Sequence, residues 1–377
     1  MDALSAAAGL LPELSVQPAG TLRRSDRSEV LRIRVSGPGW PGPPTLIVKL
    51  YPDAGESWAR ESAALTAMPG TAPVPRLIAA SADPPALVIT DAGTGPGLAT
   101  ALLGSDPAQA TAATVHFAET LAALHLATQD AYETFAAELA ARSAGAVPPA
   151  LMPALVTSAA AALGRYCAQL GVTVPPGSLA ELAGLPARLA ASGPSALTLA
   201  DACPDNNVRT TRGYLLIDFE EAEWRPVAWD VAYLTVPWPS CWCCFTLPPS
   251  VTRQAVARYR SAAAGQLPYL GTSAFGHDVA LATAGWALVS SSWFLGRALG
   301  EDQPFDSEID EINGLPTRRA IIAHRLATAQ HTTGLPALAV LAARLRTELI
   351  RRWGGEPPLR LAPAFRPSAR GAAAPAG

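Results

Sequence analysis

The pattern of apolar residues changes near residue 91, and this change constrains the fold more than any other feature of the sequence. Residues 29–35 alternate between apolar and polar side chains, and residues 45–51 form a run of apolar and β-branched side chains; both patterns are typical of strands. From residue 98 onward the apolar side chains follow helical spacing. Between these regions, residues 91–97 are rich in glycine. We therefore expect a strand-rich part, a flexible connector and a helical part.

The strand-rich part reads as a sheet with one helix. Residues 36–44 contain many glycines and prolines, so they predict a loop that joins the two strands into a hairpin. Residues 56–68 predict a helix that ends at Pro69 and Gly70. Residues 75–80 and 86–90 predict further strands.

The helical part begins with a clear start signal. Asp106 is suited to cap a helix and Pro107 to occupy its first position. Further helices are expected at 150–169, 178–191, 228–235, 249–264, 278–300, 316–331 and 335–353. The sequence from residue 357 is rich in Ala, Pro, Arg and Gly, which predicts disorder.

Composition excludes several classes of protein. The 377 residues are 49% hydrophobic and 16% charged, with a formal net charge of −3, which argues against disorder as the main state and against general affinity for nucleic acid. The five cysteines are odd in number and unevenly spaced, so we expect reduced thiols. The sequence lacks the charged start of a signal peptide and any apolar run of about 20 residues. These features predict a cytoplasmic protein with no membrane partner.

A polar, turn-rich stretch at residues 197–220 interrupts the helical part. Asp201 precedes a predicted hairpin, Asn206 begins it and Asp218 ends it. The hairpin is expected to return Asp218 to the neighbourhood of Asn206. Carboxylate and amide oxygens are hard ligands that suit Mg²⁺.

Lys49 is the only lysine in the sequence. It lies on a predicted strand and shares a face with Ile47 and Tyr51, and a cation among apolar side chains needs a partner. Glu61, on the helix that follows, is a candidate for that partner. Phosphoryl transfer needs this combination of a metal, a carboxylate that orients a hydroxyl, and a cation on the phosphates.

The stretch resembles the aminoglycoside phosphotransferase and choline kinase group of small-molecule kinases. In that family the catalytic loop is His-Gly-Asp, four further residues and Asn, and Ile-Asp-Phe-Glu or a similar sequence forms the metal loop. Asp201, Asn206 and residues 217–220 match at the expected spacing. Residues 229–234 are similar to the following helix, whose aspartate, here Asp230, braces the catalytic loop.

The resemblance implies an α+β, bilobal protein-kinase-like fold, with a small antiparallel β lobe that carries one main helix and a larger, mostly helical lobe. The implied division is a nucleotide-binding lobe at 1–91, a hinge at 92–97, a catalytic and substrate lobe at 98–356 and a disordered tail at 357–377.

The resemblance also implies an ATP- and Mg²⁺-dependent phosphotransferase that acts on a hydroxyl group of a small molecule. Asp201 would be the catalytic base, and Asn206 and Asp218 would hold the metal ion. The residues expected to bind the nucleotide are Lys49, Glu61, Thr90 and Asp91. The identity of the acceptor and the oligomeric state cannot be read from the sequence.

Two departures from the family pattern support a second hypothesis. Leu199 and Ala200 replace His-Gly, so Leu199 is expected to fill the place of the histidine by packing, and Ala200 is strained if the position requires a positive φ. Residues 23–28, an Arg- and Ser-rich sequence, lie where a glycine-rich phosphate loop is expected. The alternative is therefore a catalytically weak or inactive kinase-like module that binds a nucleotide or small molecule. A third hypothesis is an unrelated helical protein in which residues 199–220 are only a polar loop.

Other polar residues have two interpretations each. Asp201, Asn206 and Asp218 are also common turn residues, and Glu220 is either a ligand of a second metal ion or a solvated side chain. His125 lies on an apolar helix stripe and is interpreted as a packed core histidine. Cys241, Cys243 and Cys244 are interpreted as buried thiols, since no second Cys or His pair accompanies them. The acidic run at 301–311 either binds an amine of the substrate or forms a solvated loop.

Overall fold

A five-stranded antiparallel sheet occupies the first part of the chain in the computed structural model, which describes residues 1–143, 145–236, 238–304 and 315–367. Its strands are β1 (Ser15–Arg24), β2 (Glu29–Ser36), β3 (Thr45–Leu50), β4 (Leu77–Ala82) and β5 (Pro85–Thr90), in the order β1-β2-β3-β5-β4. Helix α1 (Ala3–Leu10) precedes the sheet, and helix α2 (Glu56–Ala67) follows β3. The predicted sheet with one main helix is confirmed.

The two faces of the sheet have different partners because successive side chains on a strand point to opposite sides. Leu31, Ile33 and Val48 are buried in a small core beneath α1. The register of β2 and β3 pairs Val30 with Lys49. Lys49 therefore lies on the face away from α1, which is the face turned toward the helical part.

The helical part is built around two long, buried helices, α4 and α11. The helices are α3 (Leu98–Leu103), α4 (Pro107–Thr128), α5 (Tyr132–Arg142), α6 (Leu151–Leu170), α7 (Ser178–Ala183), α8 (Leu185–Ser192), α9 (Val227–Val231), α10 (Pro249–Ala263), α11 (Ser273–Ala298), α12 (Arg318–Ala329) and α13 (Pro336–Trp353). Short 3₁₀ helices occupy Ala232–Leu234, Pro268–Gly271 and Pro363–Phe365. Asp106 caps α4 as predicted, since its carboxylate accepts from the N–H groups of Ala108 and Gln109.

Two small antiparallel pairs interrupt the helices and carry the polar stretch. Strand β7 (Asn207–Thr210) pairs with β8 (Gly213–Leu216) in the predicted hairpin. Strand β6 (Ser195–Thr198) pairs with β9 (Glu223–Pro226), a pairing that was not predicted because each strand has only four residues. The loop of residues 199–206, here called the catalytic loop, runs from β6 to β7.

Two expectations from the sequence are wrong. Within the predicted disordered tail, the described residues 357–367 are structured, because Thr246 exchanges backbone hydrogen bonds with this segment and Ala362 and Ala364 are buried. The cysteines are not all reduced, because Cys203 and Cys241 form a disulfide. This bond was not predictable from the sequence, since 38 residues separate the two positions and only the fold brings them together.

One helix among the described residues, α11, is long and apolar enough to cross a membrane by length and composition alone. Most of its apolar stretch is buried against other elements of the protein, as in a core helix. This feature is therefore weak support for a membrane span.

Candidate active site

A cleft with a volume of about 270 Å³ lies between the sheet and the catalytic loop. Its lining includes most of the residues that the sequence singled out, which come from β3, α2, the end of β5, the catalytic loop and the residues after β8. These are Lys49, Glu61, Thr90, Asp91, Asn206 and Asp218. Asp201 is not among the lining residues and reaches the cleft through its contact with Asn206.

Lys49 lies at the centre of a group of carboxylates. Its Nζ donates to Glu61 Oε2 at 2.7 Å, to Asp218 Oδ1 at 2.6 Å and to Glu220 Oε2 at 3.1 Å. Burial lowers the pKa of Lys49, but Glu61 and Asp218 outweigh burial and hold that pKa well above its usual value. The hydroxyl of Tyr51 also donates to Glu61. Lys49 is therefore a charged ammonium whose position is fixed by ion pairs from both lobes.

Glu61 is buried on α2, and its surroundings have opposite effects on the pKa of its carboxyl group. Burial raises the pKa of Glu61, and the ammonium of Lys49 opposes that effect. The interpretation of Glu61 as a solvated residue on the helix face is excluded by its 2% exposure.

The hairpin returns Asp218 to Asn206. The Ile217 N–H donates to the Asn206 carbonyl oxygen at 3.0 Å, which closes the base of the β7–β8 hairpin. The side-chain amide of Asn206 donates through Nδ2 to the carbonyl oxygen of Asp201 at 3.0 Å and to its carboxylate Oδ2 at 3.2 Å. Because the NH₂ group is used in this way, the amide oxygen of Asn206 is the atom available to a cation.

The carboxylate of Asp201 has a second partner that the sequence did not reveal. Ser240 donates its hydroxyl to Asp201 Oδ1 at 2.5 Å. Burial raises the pKa of Asp201 to about 7, against the opposing effect of the hydrogen bond from Ser240. A carboxylate with a pKa in this range is suited to take up a proton near neutral pH.

Ser240 belongs to a segment, residues 238–244, that lies against the catalytic loop and is here called the strap. The next strap residue, Cys241, is bonded to Cys203, and Trp242 donates its indole N–H to Asp205 Oδ2 at 2.8 Å. The interpretation of the cysteines as unmodified buried thiols therefore holds for Cys243 and Cys244 but not for Cys241.

Ala200 has the left-handed conformation that a glycine would adopt without strain, with φ of +65°. Its carbonyl oxygen accepts from Arg225 Nη2 at 2.6 Å and from the Tyr233 hydroxyl at 3.2 Å. Leu199 is completely buried, as expected for a side chain that fills the place of a histidine by packing. These contacts hold the backbone of the catalytic loop in spite of the departure from His-Gly.

The Ala200 contacts rest on a buried ion pair. Arg225 Nε donates to Asp230 Oδ1 at 2.6 Å, and Asp230 Oδ2 lies 3.2 Å from His125 Nε2. Burial alone would raise the pKa of Asp230, but the Arg225 guanidinium outweighs it and lowers that pKa. His125 also contacts the Tyr259 hydroxyl at 2.7 Å, so it is a packed, hydrogen-bonded core histidine.

The end of β5 and the connector form the other side of the cleft. Asp91 accepts from Arg32 Nε at 2.7 Å, and the same guanidinium donates to the Gly93 carbonyl oxygen at 2.9 Å. Burial raises the pKa of Asp91, but the hydrogen bonds from Arg32 and the Gly93 N–H lower it below its usual value. The Thr90 hydroxyl accepts from the Arg76 N–H at 2.9 Å. Thr90 and Asp91, which the sequence predicted to bind the nucleotide, therefore have side chains that hold neighbouring segments, Thr90 the residue before β4 and Asp91 both β2 and the connector.

The Arg- and Ser-rich residues 23–28 lie at the edge of the same cleft. Arg23 and Ser28 are among its lining, and Arg27 Nη1 lies 3.6 Å from Glu220. Glu220 is thus paired with two cations, Lys49 and Arg27, rather than solvated on its own.

Sequence reasoning missed Arg32, Ser240 and Trp242 as residues of this region. The alternation of β2 contained a signal for Arg32, since it shares a face with Val30, the strand partner of Lys49. Ser240 and Trp242 had no such signal, because they contact the catalytic loop from more than 35 residues away in the sequence. Residues 305–311 of the acidic run lie outside the described residues.

The solved structures that share this architecture include those of two kinases. An ethanolamine kinase from Plasmodium vivax superposes with a TM-score of 0.52 at 13% identity, over 88% of this chain and 85% of that one. Choline kinase from Cryptosporidium parvum Iowa II gives a TM-score of 0.51 at 11% identity, over 90% of this chain and 94% of that one. At these identities the similarity shows a common fold. A sequence comparison with curated proteins gives no match.

A family model extends the likeness from fold to sequence. The model of the phosphotransferase enzyme family (APH) matches residues 23–265, a span that contains Lys49, the catalytic loop and the hairpin. Because this match covers more than half of the sequence, the protein-kinase-like chain described here belongs to the phosphotransferase enzyme family, a family of small-molecule kinases.

Proposed function

We propose that this protein is an ATP- and Mg²⁺-dependent phosphotransferase whose acceptor is a hydroxyl group of a small molecule. The observation that carries the proposal is the convergence of Lys49, Asn206 and Asp218 on one cleft, with Asp201 bonded to Asn206 behind it. In this proposal residues 1–91 form the nucleotide lobe, 92–97 the hinge and 98–356 the catalytic and substrate lobe. A cytoplasmic location stays a prediction from the sequence.

The donor set fits a divalent cation. Oxygens of Glu61, Asp218 and Glu220 lie within 4.8 Å of one another, and a single ammonium, that of Lys49, lies between them. Three carboxylates against two cations, the ammonium of Lys49 and the guanidinium of Arg27, leave negative charge that a metal ion would neutralise. Asp218 and the amide oxygen of Asn206 are the hard ligands we assign to Mg²⁺, which would neutralise charge on the transferred phosphoryl group.

The other residues have positioning roles. Lys49, steadied by Glu61, holds the α- and β-phosphates of the nucleotide. The backbone near Thr90 and Asp91 lies where the adenine would bind. Asp201 orients the acceptor hydroxyl and takes up its proton as the new oxygen–phosphorus bond forms. Catalysis on this account is mainly alignment and neutralisation of charge.

The test is the loss of the assigned metal ligand. We expect Asp218→Ala to weaken ATP binding in the presence of Mg²⁺ at least tenfold, measured by isothermal titration, and to abolish the difference between titrations with Mg²⁺ and with EDTA. Asp130→Ala removes an exposed carboxylate away from the cleft and is the matched control. Unchanged Mg²⁺-dependent affinity in Asp218→Ala would refute the metal assignment.

The second candidate function is a kinase-like module that binds a nucleotide or small molecule with little or no turnover. The positive φ of Ala200 favours it, because a non-glycine residue at this position strains the loop that carries Asp201. ATP consumption is measured with a panel of amino sugars, amino alcohols and nucleosides, for the unmodified chain and for Asp201→Asn. Nucleotide binding without turnover of any acceptor would select the binding module, and turnover that Asp201→Asn removes would select the enzyme.

A further inference from the structure

The strap contacts the catalytic loop in register. Three consecutive strap residues, Ser240, Cys241 and Trp242, meet every second residue of the loop, at positions 201, 203 and 205. The first and last contacts are hydrogen bonds, and the middle one is a disulfide. The strap is therefore fixed against the loop at its centre by a covalent bond.

The first contact places a hydroxyl group on the proposed catalytic base. Ser240 donates to Asp201 Oδ1 at 2.5 Å, while Asn206 donates to Oδ2 at 3.2 Å. The proposed reaction requires the acceptor hydroxyl to make a hydrogen bond of this kind with Asp201. Ser240 thus makes with Asp201 the kind of hydrogen bond that an acceptor hydroxyl would make, so an incoming acceptor would compete with it.

The disulfide limits how far Ser240 can move away from Asp201. The hydrogen bonds that Ser240 and Trp242 donate to the loop can be replaced by hydrogen bonds with water or substrate. The covalent bond between Cys203 and Cys241 does not open by thermal motion. Ser240 is directly bonded in sequence to Cys241, so its distance from the loop is limited while the disulfide persists. A third sulfur, the thiol of Cys243, lies 3.0 Å from Cys241 Sγ.

We propose that the Cys203–Cys241 disulfide is a redox modification site, cleaved by a dithiol reductant, and that its cleavage frees the strap to withdraw Ser240 from Asp201. The proposal rests on the phosphotransferase function proposed above. In the reaction a thiolate of the dithiol attacks one sulfur of the bond and the second thiol resolves the mixed disulfide. The S–S bond between Cys203 and Cys241 breaks and both become thiols, while the dithiol loses two electrons and two protons and becomes a disulfide.

Burial of the three sulfurs determines how the site is reached. Cys203, Cys241 and Cys243 are each at most 4% exposed, whereas Ser240 and Trp242 are partly exposed. A dithiol therefore gains access when the exposed part of the strap moves. We expect reduction to be slow in the folded protein and faster when the hydrogen bond from Ser240 is absent.

The test compares the full chain before and after treatment with dithiothreitol. Alkylation under denaturing conditions should count three thiols before treatment, those of Cys167, Cys243 and Cys244, and five after it. Reduction should increase hydrogen exchange in peptides that cover residues 199–206 and 238–244. Hydrolysis of ATP by water, with Mg²⁺ and no other acceptor, should rise at least fivefold.

Variants separate the disulfide from the hydroxyl group. Cys241→Ser should show the higher hydrolysis rate with and without dithiothreitol, and Ser240→Ala should show it while the thiol count remains three. Cys167→Ser removes a buried thiol on α6, away from the strap, and should respond to dithiothreitol like the unmodified chain. Ser240→Ala and reduction of the unmodified chain do not depend on the folding of a cysteine variant.

Several outcomes would overturn the inference. Five thiols before treatment would show that the bond does not form. Equal hydrogen exchange and equal ATP hydrolysis before and after reduction would show that the disulfide does not restrain the strap. Stoichiometric Zn²⁺ binding by the reduced cysteines, with no rise in hydrogen exchange, would show the same. Titrations of the same samples with Mg²⁺-ATP separate the two proposals. If Mg²⁺-ATP binds but reduction has no effect, only the proposal about the strap is refuted. If Mg²⁺-ATP does not bind, the phosphotransferase function is refuted, and the thiol counts and hydrogen exchange still test the disulfide.

Discussion

Ala200 has the backbone conformation of a glycine at the residue that precedes the proposed base. An L-residue in the left-handed region costs about 1–2 kcal/mol, and at this position the contacts of Arg225 and Tyr233 with the Ala200 carbonyl oxygen offset that cost. The sequence predicted this strain from one substitution within a motif. It did not predict the contacts that offset it, because they come from residues 225 and 233.

Replacing Ala200 by glycine tests the strain directly. In Ala200→Gly, relief of the positive φ should offset the lost methyl group and the added flexibility of the unfolded chain, so the free energy of unfolding should change by less than about 0.5 kcal/mol. Ala202 is also buried in the same loop but has a negative φ, and Ala202→Gly should lower the free energy of unfolding by about 1–2 kcal/mol. Urea denaturation measures the free energy of unfolding of both variants, and equal decreases in the two would contradict the presence of strain at Ala200.

At the scale of elements, short segments position the candidate site while long helices support them. Helix α9 has only five residues, yet its Asp230 holds Arg225 of β9, which in turn holds the catalytic loop. The hairpin and the long helices were predictable because their patterns are local in sequence. The pairing of β6 with β9 was not, because four-residue strands contain too little periodicity.

The buried pair of Arg225 and Asp230 should contribute much more to stability than an exposed pair. Asp230→Asn removes the hydrogen-bonded counter-charge of the buried Arg225 guanidinium and leaves only the longer contact with Glu223 at 3.8 Å, which should lower the free energy of unfolding by about 3–5 kcal/mol. Glu356→Gln breaks the more exposed pair with Arg346 and should cost less than about 1 kcal/mol. Urea denaturation of both variants checks the comparison, and similar losses would show that the buried pair is not the main brace.

On the scale of the whole molecule, the two lobes share a core through α2. Trp58 and Leu65 of α2 belong to the same buried cluster as the helices of the second lobe, whereas α1 and the outer face of the sheet form a separate cluster. Arg60, also on α2, donates to the carbonyl oxygens of Ala222 and Pro149 at 3.2 and 2.6 Å. The sequence predicted α2 as part of the first lobe but not its attachment to the second, which depends on contacts between distant residues.

Loss of Arg60 should therefore affect both stability and nucleotide binding. Arg60→Met leaves two carbonyl oxygens without this donor, and we expect a loss of about 2–4 kcal/mol in the free energy of unfolding. Affinity for Mg²⁺-ATP should also fall severalfold, because α2 carries Glu61, the partner of Lys49. Arg34→Met removes an exposed arginine from the sheet and should change neither quantity. If Arg60→Met binds Mg²⁺-ATP as tightly as Arg34→Met does, the attachment of α2 to the second lobe does not determine nucleotide affinity.

The solitary lysine makes the cleft observable by isotope labelling of a single amino-acid type. Incorporation of ¹⁵N-labelled lysine during expression labels one side-chain amine, that of Lys49, and leaves its charge and hydrogen bonds unchanged. Each protein molecule would then contain one enriched side-chain probe, surrounded by Glu61, Asp218 and Glu220. Its resonance would report when those carboxylates exchange their ammonium partner for another cation, without any need to know which alcohol accepts the phosphate.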